Sequence, residues 1–341
     1  MKGSMLPVVV LAAGWFAAPI ADANSQLPTD PTFQQQFEAG RAALKDGKLK
    51  EAMDAAKKAN KLAGDKCAEC YLMMAAVHYR RLEPDAGIAA CDKAIEITNN
   101  ASLRAQGHNL KGRLMLLDAG QEAKKLKQAE SELRAATEPQ PKVASFHFDL
   151  ALALLRQSRD DDAKQELQQV LSLSPEGAVA DEAKRMLADP RRGRERVAPS
   201  FQFTTLQGAH LSLDQLAGRV VVLDFWATWC LPCRESVPEL KELTRKYPAE
   251  KLTLISVSAD ADERAWREFV AKKSMDWAQY RDSDHKILDA FSVHGFPAYM
   301  VIDGDGFIKQ RLTGLNPRES VVHRLKETLS QMPQLEGEGK K

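Results

Sequence analysis

The stretch that most constrains the fold is Asp224-Phe225-Trp226-Ala227-Thr228-Trp229-Cys230-Leu231-Pro232-Cys233. An apolar run, Val220 to Leu223, precedes it, and a long amphipathic segment follows, so the order strand, turn, helix is predicted. This order puts Cys230 at the helix N-terminus, where unpaired backbone N–H groups and the helix dipole favour a thiolate. Cys233 lies one turn further along, close enough to form a disulfide and to attack a mixed disulfide. Pro232 suits the first helical turn, where its missing N–H is not needed.

The pattern Asp-Phe-Trp-Ala-x-Trp-Cys-x-x-Cys resembles the active-site signature of the thioredoxin superfamily. The approach to it, from Ala198 to Val221, resembles the TlpA/ResA-type extracytoplasmic thioredoxins. The resemblance implies an α/β thioredoxin-like domain, a redox-active Cys230–Cys233 disulfide, disulfide-containing protein substrates and an electron donor in the membrane or periplasm. It implies no cofactor and no metal. For a bare Cys-x-x-Cys, a metal knuckle or a structural disulfide is the alternative.

The segment Val293-His294-Gly295-Phe296-Pro297-Ala298-Tyr299-Met300-Val301-Ile302 carries the second part of the resemblance. In thioredoxin-like proteins a cis-proline faces the dithiol at this point, and the residue before it pairs with the extended substrate. Pro297 and Phe296 match these positions, and Trp229 is expected to shape the surface around the sulfurs. The alternative is a trans proline that only begins a strand.

Asp224 matches the buried acid of thioredoxins, which takes the proton of the second cysteine. A carboxylate buried in an apolar strand has a raised pKa and can act as a base near neutral pH. A surface or salt-bridged aspartate is the alternative. The chain departs from the ResA-like pattern nearby, because Ser236 stands where these proteins often have glutamate, and Glu235 lies one place earlier.

The N-terminus has the features of a secretory signal peptide over residues 1–23. Lys2 precedes an apolar run from Met5 to Ile20, and Ala21-Asp22-Ala23 offers a small-x-small cleavage site. The mature protein is therefore predicted to be periplasmic or secreted; an uncleaved anchor is the alternative. The 48 basic and 47 acidic residues give a net charge of +1, which argues against a nucleic-acid partner.

Residues 32–188 are rich in Ala, Leu, Lys, Glu and Gln, which predicts an all-α region. Small residues recur in units offset by about 34 residues, each read as two helices joined by a short turn. The recurring small residues are Gly40, Ala52 and Ala59, then Ala75, Gly87 and Ala94, then Ala129 and Ala136, then Ala151 and Ala163. This resembles the tetratricopeptide repeat (TPR), which implies a protein partner. A plain helical bundle is the alternative.

Three further cysteines lie in this helical region: Cys67, Cys70 and Cys91. In an oxidising compartment a structural disulfide is the ordinary expectation, and either Cys70 with Cys91 or Cys67 with Cys70 fits. A second redox pair that relays electrons to Cys230 is a further alternative. A zinc site shared with the second domain is disfavoured by the distance in sequence.

At 341 residues the chain is long enough for about two domains. The predicted boundaries give a linker over 189–197, a thioredoxin-like domain over 198–333 and a disordered tail over 334–341. Within the second domain the pattern predicts a hairpin over 201–212, a strand over 220–226, a helix over 235–247, a strand over 252–257, a helix capped by Asp262, a strand after Pro297 and a last helix over 317–332. Parallel strands are expected.

Two other functional classes stay open. A thioredoxin-fold peroxidase is one, although the Pro-x-x-x-Thr-x-x-Cys approach of peroxiredoxins is missing before Cys230. A TPR binding scaffold with a vestigial redox domain is the other, although the intact dithiol and proline segment argue against it.

Overall fold

The computed structural model describes residues 27–314 and 320–335. The chain divides into two compact units, Met1–Arg194 and Glu195–Lys341. The predicted signal peptide, the first part of the predicted last helix and most of the predicted tail lie outside the described residues. Within the described ranges, no helix combines the length and apolar character needed to cross a membrane.

The described part of the first unit contains nine α-helices, as the composition predicts. They are α1 (Pro31–Lys45), α2 (Leu49–Leu62), α3 (Ala68–Arg80), α4 (Pro84–Ile97), α5 (Ala101–Ala119), α6 (Ala123–Thr137), α7 (Ala144–Arg156), α8 (Asp160–Leu173) and α9 (Ala178–Ala188). Side-chain caps fix some of the starts: Asp30 accepts from Phe33 N at 2.8 Å, and Asn100 from Ser102 N at 2.8 Å. Consecutive helices joined by short turns are compatible with TPR-like repeats.

Small residues allow the helices of this unit to approach closely. A Cβ on Gly40 of α1 would lie 2.6 Å from Met73 Sδ of α3. A Cβ on Gly112 of α5 would lie 2.6 Å from Leu133 Cγ of α6. Both distances are far below a van der Waals contact, so a side chain at either position would require Met73 or Leu133 to move.

The cysteines of the first unit show one of the two predicted pairings. Cys67 and Cys70 form a disulfide of 2.08 Å, while Cys91 is a free, buried thiol. Cys67 is the N-cap of α3, and its sulfur accepts from Cys70 N at 3.0 Å.

The second unit is an α/β domain with a two-stranded and a five-stranded sheet. Its strands are β1 (Gln202–Thr204), β2 (His210–Ser212), β3 (Val220–Trp226), β4 (Leu252–Ser258), β5 (Ala278–Arg281), β6 (Ala298–Ile302) and β7 (Ile308–Thr313). Its described α-helices are α10 (Leu231–Lys246), α11 (Glu263–Lys272), α12 (Lys286–Ala290) and α13 (Val321–Ser330). Asp262 caps α11 as predicted, accepting from Arg264 N at 2.9 Å. Helix α10 begins four residues before the predicted start, directly after Cys230.

The main sheet is mixed, in the order β5-β4-β3-β6-β7. Strands β3, β4 and β5 are parallel, whereas β6 runs antiparallel to both β3 and β7. The expectation of parallel strands is confirmed for β3 and β4, which a helical crossover joins, and does not extend to β6. Strands β6 and β7 are joined by the short turn over 303–307, and two strands joined by so few residues must be antiparallel.

Strand β3 lies in the middle of the sheet and is buried along its whole length. On one face Val220 and Val222 pack with Leu240 of α10 and Leu325 of α13. On the other face Val221 and Leu223 pack with a second cluster that includes α12 and the β1 strand. The residues that follow β3 are thereby fixed at the carboxyl edge of the sheet, where ligands of α/β proteins bind.

The segment between the two regular domains contains a short 3₁₀ helix, Pro190–Gly193. Arg194 donates to Asp160 in α8, and its neighbour Gly193 is buried against Leu155 of α7. The structure thus gives residues 190–194 ordered contacts with the first unit, where the sequence analysis expected a solvated linker.

Candidate active site

Cys230 stands between β3 and α10, as the N-cap of that helix. Its sulfur accepts a hydrogen bond from Cys233 N at 3.3 Å. The two cysteines form a disulfide with an S–S distance of 2.07 Å and a Cα–Cα distance of 5.3 Å. Pro232 occupies the first turn of α10, so the helix loses no hydrogen bond there. The local order of strand, turn and helix is the one that the sequence predicts.

Large apolar side chains surround the disulfide at the surface. Trp229 is 68% exposed and Leu231 is 59% exposed, although most large apolar side chains of the unit are buried. The ring of Phe296 meets Trp229 edge to face, with 5.7 Å between the ring centroids. The peptide bond between Phe296 and Pro297 is cis, as expected. The structure therefore brings Trp229 and Phe296 together beside the cysteines.

A buried carboxylate forms hydrogen bonds to the turn that leads into Cys230. Asp260, two residues after the end of β4, accepts from Thr228 N at 3.0 Å and from Thr228 Oγ1 at 2.6 Å. Its other hydrogen bond comes from Ser258 Oγ at 2.7 Å. Asp260 was not predicted from the sequence. The signal available was a second acidic residue at the carboxyl end of a buried strand, facing the end of β3.

Asp224 is buried in the sheet, only 2% exposed. Ser256, its partner in the register of β4, donates from Oγ to Asp224 Oδ2 at 2.7 Å. Burial raises the pKa of Asp224 to about 7, and the hydrogen bond from Ser256 opposes part of this rise. Trp277 Nε1 donates to the same Ser256 Oγ at 2.8 Å. The carboxyl group of Asp224 is thus buried, as the motif predicted. Ser256 and Trp277 were not predicted from the sequence.

Comparisons with known proteins agree with this geometry. The AhpC/TSA family model matches residues 195–311. The thiol-disulfide oxidoreductase ResA of Bacillus cereus is 33% identical over 146 residues, which cover 43% of this chain and 80% of the relative. This chain belongs to the ResA-type thiol-disulfide oxidoreductases. The ResA of Bacillus anthracis is 32% identical over 152 residues, covering 45% of this chain and 84% of that protein.

A solved structure is also similar to this ResA-type chain. It is a thiol:disulfide interchange protein of DsbE type from Chlorobium tepidum, 28% identical, with a TM-score of 0.38. The match covers 41% of this chain and 96% of that structure.

This ResA-type chain has Ser236 at the position where ResA-like proteins often have glutamate. Ser236 Oγ donates to Pro232 O at 3.0 Å, so the hydroxyl satisfies a carbonyl of its own helix, and Glu235 is exposed. Across the sheet, Tyr299 pairs with Asp224 in the register of β6 and is fully buried. Burial and the nearby charge of Asp224 raise the pKa of Tyr299 well above its ordinary value. His294 is exposed on its loop.

Proposed function

We propose that this thiol-disulfide oxidoreductase works outside the cytoplasm and reduces or exchanges disulfides of protein substrates, with Cys230 as the nucleophile. The observation that carries the proposal is the position of Cys230 as N-cap of α10. The first backbone N–H groups of the helix and its dipole stabilise a sulfur anion there. The bond from Cys233 N to Cys230 Sγ is one such contact.

The reaction is a two-step disulfide exchange. The Cys230 thiolate attacks one sulfur of a substrate disulfide, forming a mixed disulfide and releasing the other substrate sulfur as a thiolate. Cys233 then loses its proton and attacks Cys230 Sγ, which forms the Cys230–Cys233 disulfide and releases the second substrate thiolate. The two electrons taken from the dithiol now reside in the reduced substrate. In the reverse direction the same steps oxidise a substrate dithiol.

Asp224 is proposed as the base that takes the proton of Cys233. Its strand lies under α10, the helix that carries Cys233. A carboxyl group with a pKa of about 7 gains and loses its proton readily at neutral pH.

Trp229, Phe296 and Pro297 are proposed to hold the substrate. The exposed indole of Trp229 and the half-buried ring of Phe296 offer apolar contact area beside the disulfide. Among the described residues, the backbone of Phe296 forms no hydrogen bond. Its N–H and C=O groups are therefore available to pair with an extended substrate segment.

We also propose a location, an electron donor and a protein partner for the enzyme. The signal peptide over 1–23 directs the chain to the periplasm or to secretion, and a membrane or periplasmic donor reduces the dithiol. The TPR-like helices recruit a protein partner. The support is the N-terminal sequence pattern and the helix pairs of the first unit.

The test is reduction of a disulfide-containing protein by the full chain, with dithiothreitol as the final reductant. The wild type should accelerate the reaction, and Cys230→Ser should bring the rate to the uncatalysed level. Cys91→Ala is the matched control, since it removes a thiol of the first unit and should keep the rate. A Cys230→Ser rate equal to that of the wild type would overturn the proposal.

A further inference from the structure

Three polar side chains, buried Asp224 and Ser256 and half-buried Trp277, form a line of hydrogen bonds across neighbouring strands beneath α10. Trp277 precedes β5 directly, Ser256 lies in β4, and Asp224 lies in β3. The indole nitrogen donates to Ser256 Oγ at 2.8 Å, and Ser256 Oγ donates to Asp224 Oδ2 at 2.7 Å. The sheet order β5-β4-β3 places these three groups side by side. These hydrogen bonds therefore link the edge of the sheet to the carboxyl group in its centre.

The donor and acceptor roles in these hydrogen bonds follow from chemistry. An indole N–H only donates, so Ser256 Oγ must accept the bond from Trp277. The hydroxyl is then left with one hydrogen, which points at Asp224 Oδ2. Ser256 is 0% exposed and Asp224 is 2% exposed, so bulk water does not compete for these bonds. Trp277 thus orients the hydroxyl, and the hydroxyl stabilises the ionised form of the carboxyl group.

We propose that Ser256 and Trp277 are positioning residues that set the pH at which Asp224 accepts the proton of Cys233. This inference rests on the proposed role of Asp224 as the base. The proton moves from Cys233 Sγ to the Asp224 carboxylate, and the resulting thiolate attacks Cys230 Sγ in the mixed disulfide. The substrate sulfur leaves as a thiolate with the electron pair of the broken bond. Ser256 and Trp277 keep their own protons throughout.

The two elements packed against the strand of Asp224 carry further ionisable groups. Strand β6 contributes Tyr299, which stays neutral because its pKa is raised well above the ordinary value. Helix α10 contributes Cys233 and Glu239, and Glu239 accepts from Ser320 Oγ and pairs with Lys326 at 3.4 Å. Of these groups, Asp224 and reduced Cys233 are the ones whose protonation the resolving step changes.

The experiment measures the resolving step as a function of pH in the full chain. Reduced protein is mixed with dithionitrobenzoate, which forms a mixed disulfide with Cys230. Attack by Cys233 then releases a second coloured thiolate, and its rate is followed by absorbance between pH 5 and pH 10. Asp224→Asn should remove the lower-pH ionisation from this profile and leave the thiol ionisation at higher pH.

The variants that remove these hydrogen bonds are Ser256→Ala, Trp277→Phe and their combination. Loss of the hydroxyl donor should raise the pKa of Asp224 and move the lower ionisation up by about 0.5 to 1 pH unit. Trp277→Phe should give a smaller upward shift, because Ser256 remains but its hydroxyl is no longer oriented. The double variant should shift no further than Ser256→Ala alone, since Trp277 acts through Ser256.

Two controls separate this role from general loss of structure. Ser258→Ala removes a hydroxyl of the same strand that is also fully buried but bonds to Asp260, and it should leave the midpoint in place. Ser256→Thr keeps a hydroxyl and should stay near the wild-type midpoint, so the test survives if Ser256→Ala does not fold. An unchanged midpoint in Ser256→Ala and Trp277→Phe, with a profile altered by Asp224→Asn, would overturn this inference alone. A profile unchanged in Asp224→Asn would instead overturn the role of Asp224.

Discussion

Asp224 places a carboxyl group in β3, the central strand of the sheet, and all other residues of this strand are apolar. Such a group is costly when ionised, because burial removes it from water and Ser256 supplies only one hydrogen bond. Retaining it lowers stability, and the proposed role as a base would account for its presence.

This burial predicts how stability changes with pH. The pKa of Asp224 is about 7 in the folded chain, against an ordinary value of 3.8, so the folded state holds the proton more tightly. The resulting penalty is absent below about pH 4, grows between about pH 4 and 7, and reaches on the order of 4 kcal/mol above that. Asp224→Asn should therefore be more stable than the wild type at pH 8, with a much smaller difference at pH 4.

The measurement is denaturant unfolding of the second unit at both pH values. Asp262→Asn is a suitable control, because Asp262 is an exposed helix cap with a lowered pKa and lies outside the sheet. An Asp224→Asn chain whose free energy of unfolding at pH 8 equals that of the wild type would show that burial does not raise the pKa of Asp224.

Cys91 is the second residue with a clear chemical prediction. Burial raises the pKa of its thiol, and its side chain lies in the core of the first unit. Native Cys91 should react with iodoacetamide at pH 8 at least ~100 times more slowly than a free thiol, because the thiolate is the reactive form. Peptide mapping before and after denaturation gives both rates; rapid labelling in the native chain would contradict the buried position.

At the residue scale, the sequence predicted the groups that a short motif holds together. Cys230 and Cys233 lie in one turn, and the peptide bond before Pro297 is cis as expected. Ser256 was missed because it meets Asp224 only through the pairing of β3 with β4. Trp277 was missed because it contacts Ser256, and neither contact has a fixed spacing in the sequence. The roles assigned to all of these residues stay predictions.

Among the elements, the loop that follows β4 stabilises the turn before α10. The Asp260 carboxylate accepts from both the backbone and the hydroxyl of Thr228 while almost fully buried. We expect Asp260→Ala to destabilise the second unit by about 2 to 4 kcal/mol, since it leaves buried donors without an acceptor. Denaturant unfolding measures this loss.

The matched control for Asp260→Ala is Asp262→Ala, two residues further along. It removes an exposed cap of α11, which should cost about 1 kcal/mol. Equal losses in the two variants would contradict the special contribution of Asp260.

The elements that sequence patterns found are those with long apolar runs or clear caps. Strand β3 has the predicted limits, and β4 and α11 lie close to theirs. Strand β5 and helix α12 were missed because they are only four and five residues long. In β5 the fully buried residue is Gln279, so no apolar alternation marks the strand. Elements this short depend on contacts made by the rest of the domain.

At the scale of the whole molecule, the chain consists of two compact units with separate cores. The core clusters around the main sheet contain residues of the second unit alone, and those of the helical region contain residues of the first. Composition predicted the all-α region, whereas the α/β domain was predicted from its apolar runs and from the thioredoxin resemblance around Cys230 and Pro297. The mixed sheet was not predictable in the same way, because strand direction depends on how the chain returns after β5.

Separate cores predict that the second unit works without the first. A chain of residues 195–341 should fold and reduce dithionitrobenzoate within about twofold of the rate of the full chain. The same truncation should weaken reduction of a substrate that the helical unit recruits. Circular dichroism and the thiolate release assay test the first statement; a folded but inactive fragment would contradict it.

In the proposed mechanism Cys230 attacks the substrate and Cys233 resolves the mixed disulfide. The most direct measurement is mass spectrometry of reduced Cys233→Ser and Cys230→Ser chains after incubation with a disulfide-linked peptide. We predict a stable peptide adduct on Cys230 in the Cys233→Ser chain and no adduct on Cys233 in the Cys230→Ser chain. An adduct that forms equally on Cys233, or one that is missing from Cys230, would contradict the account.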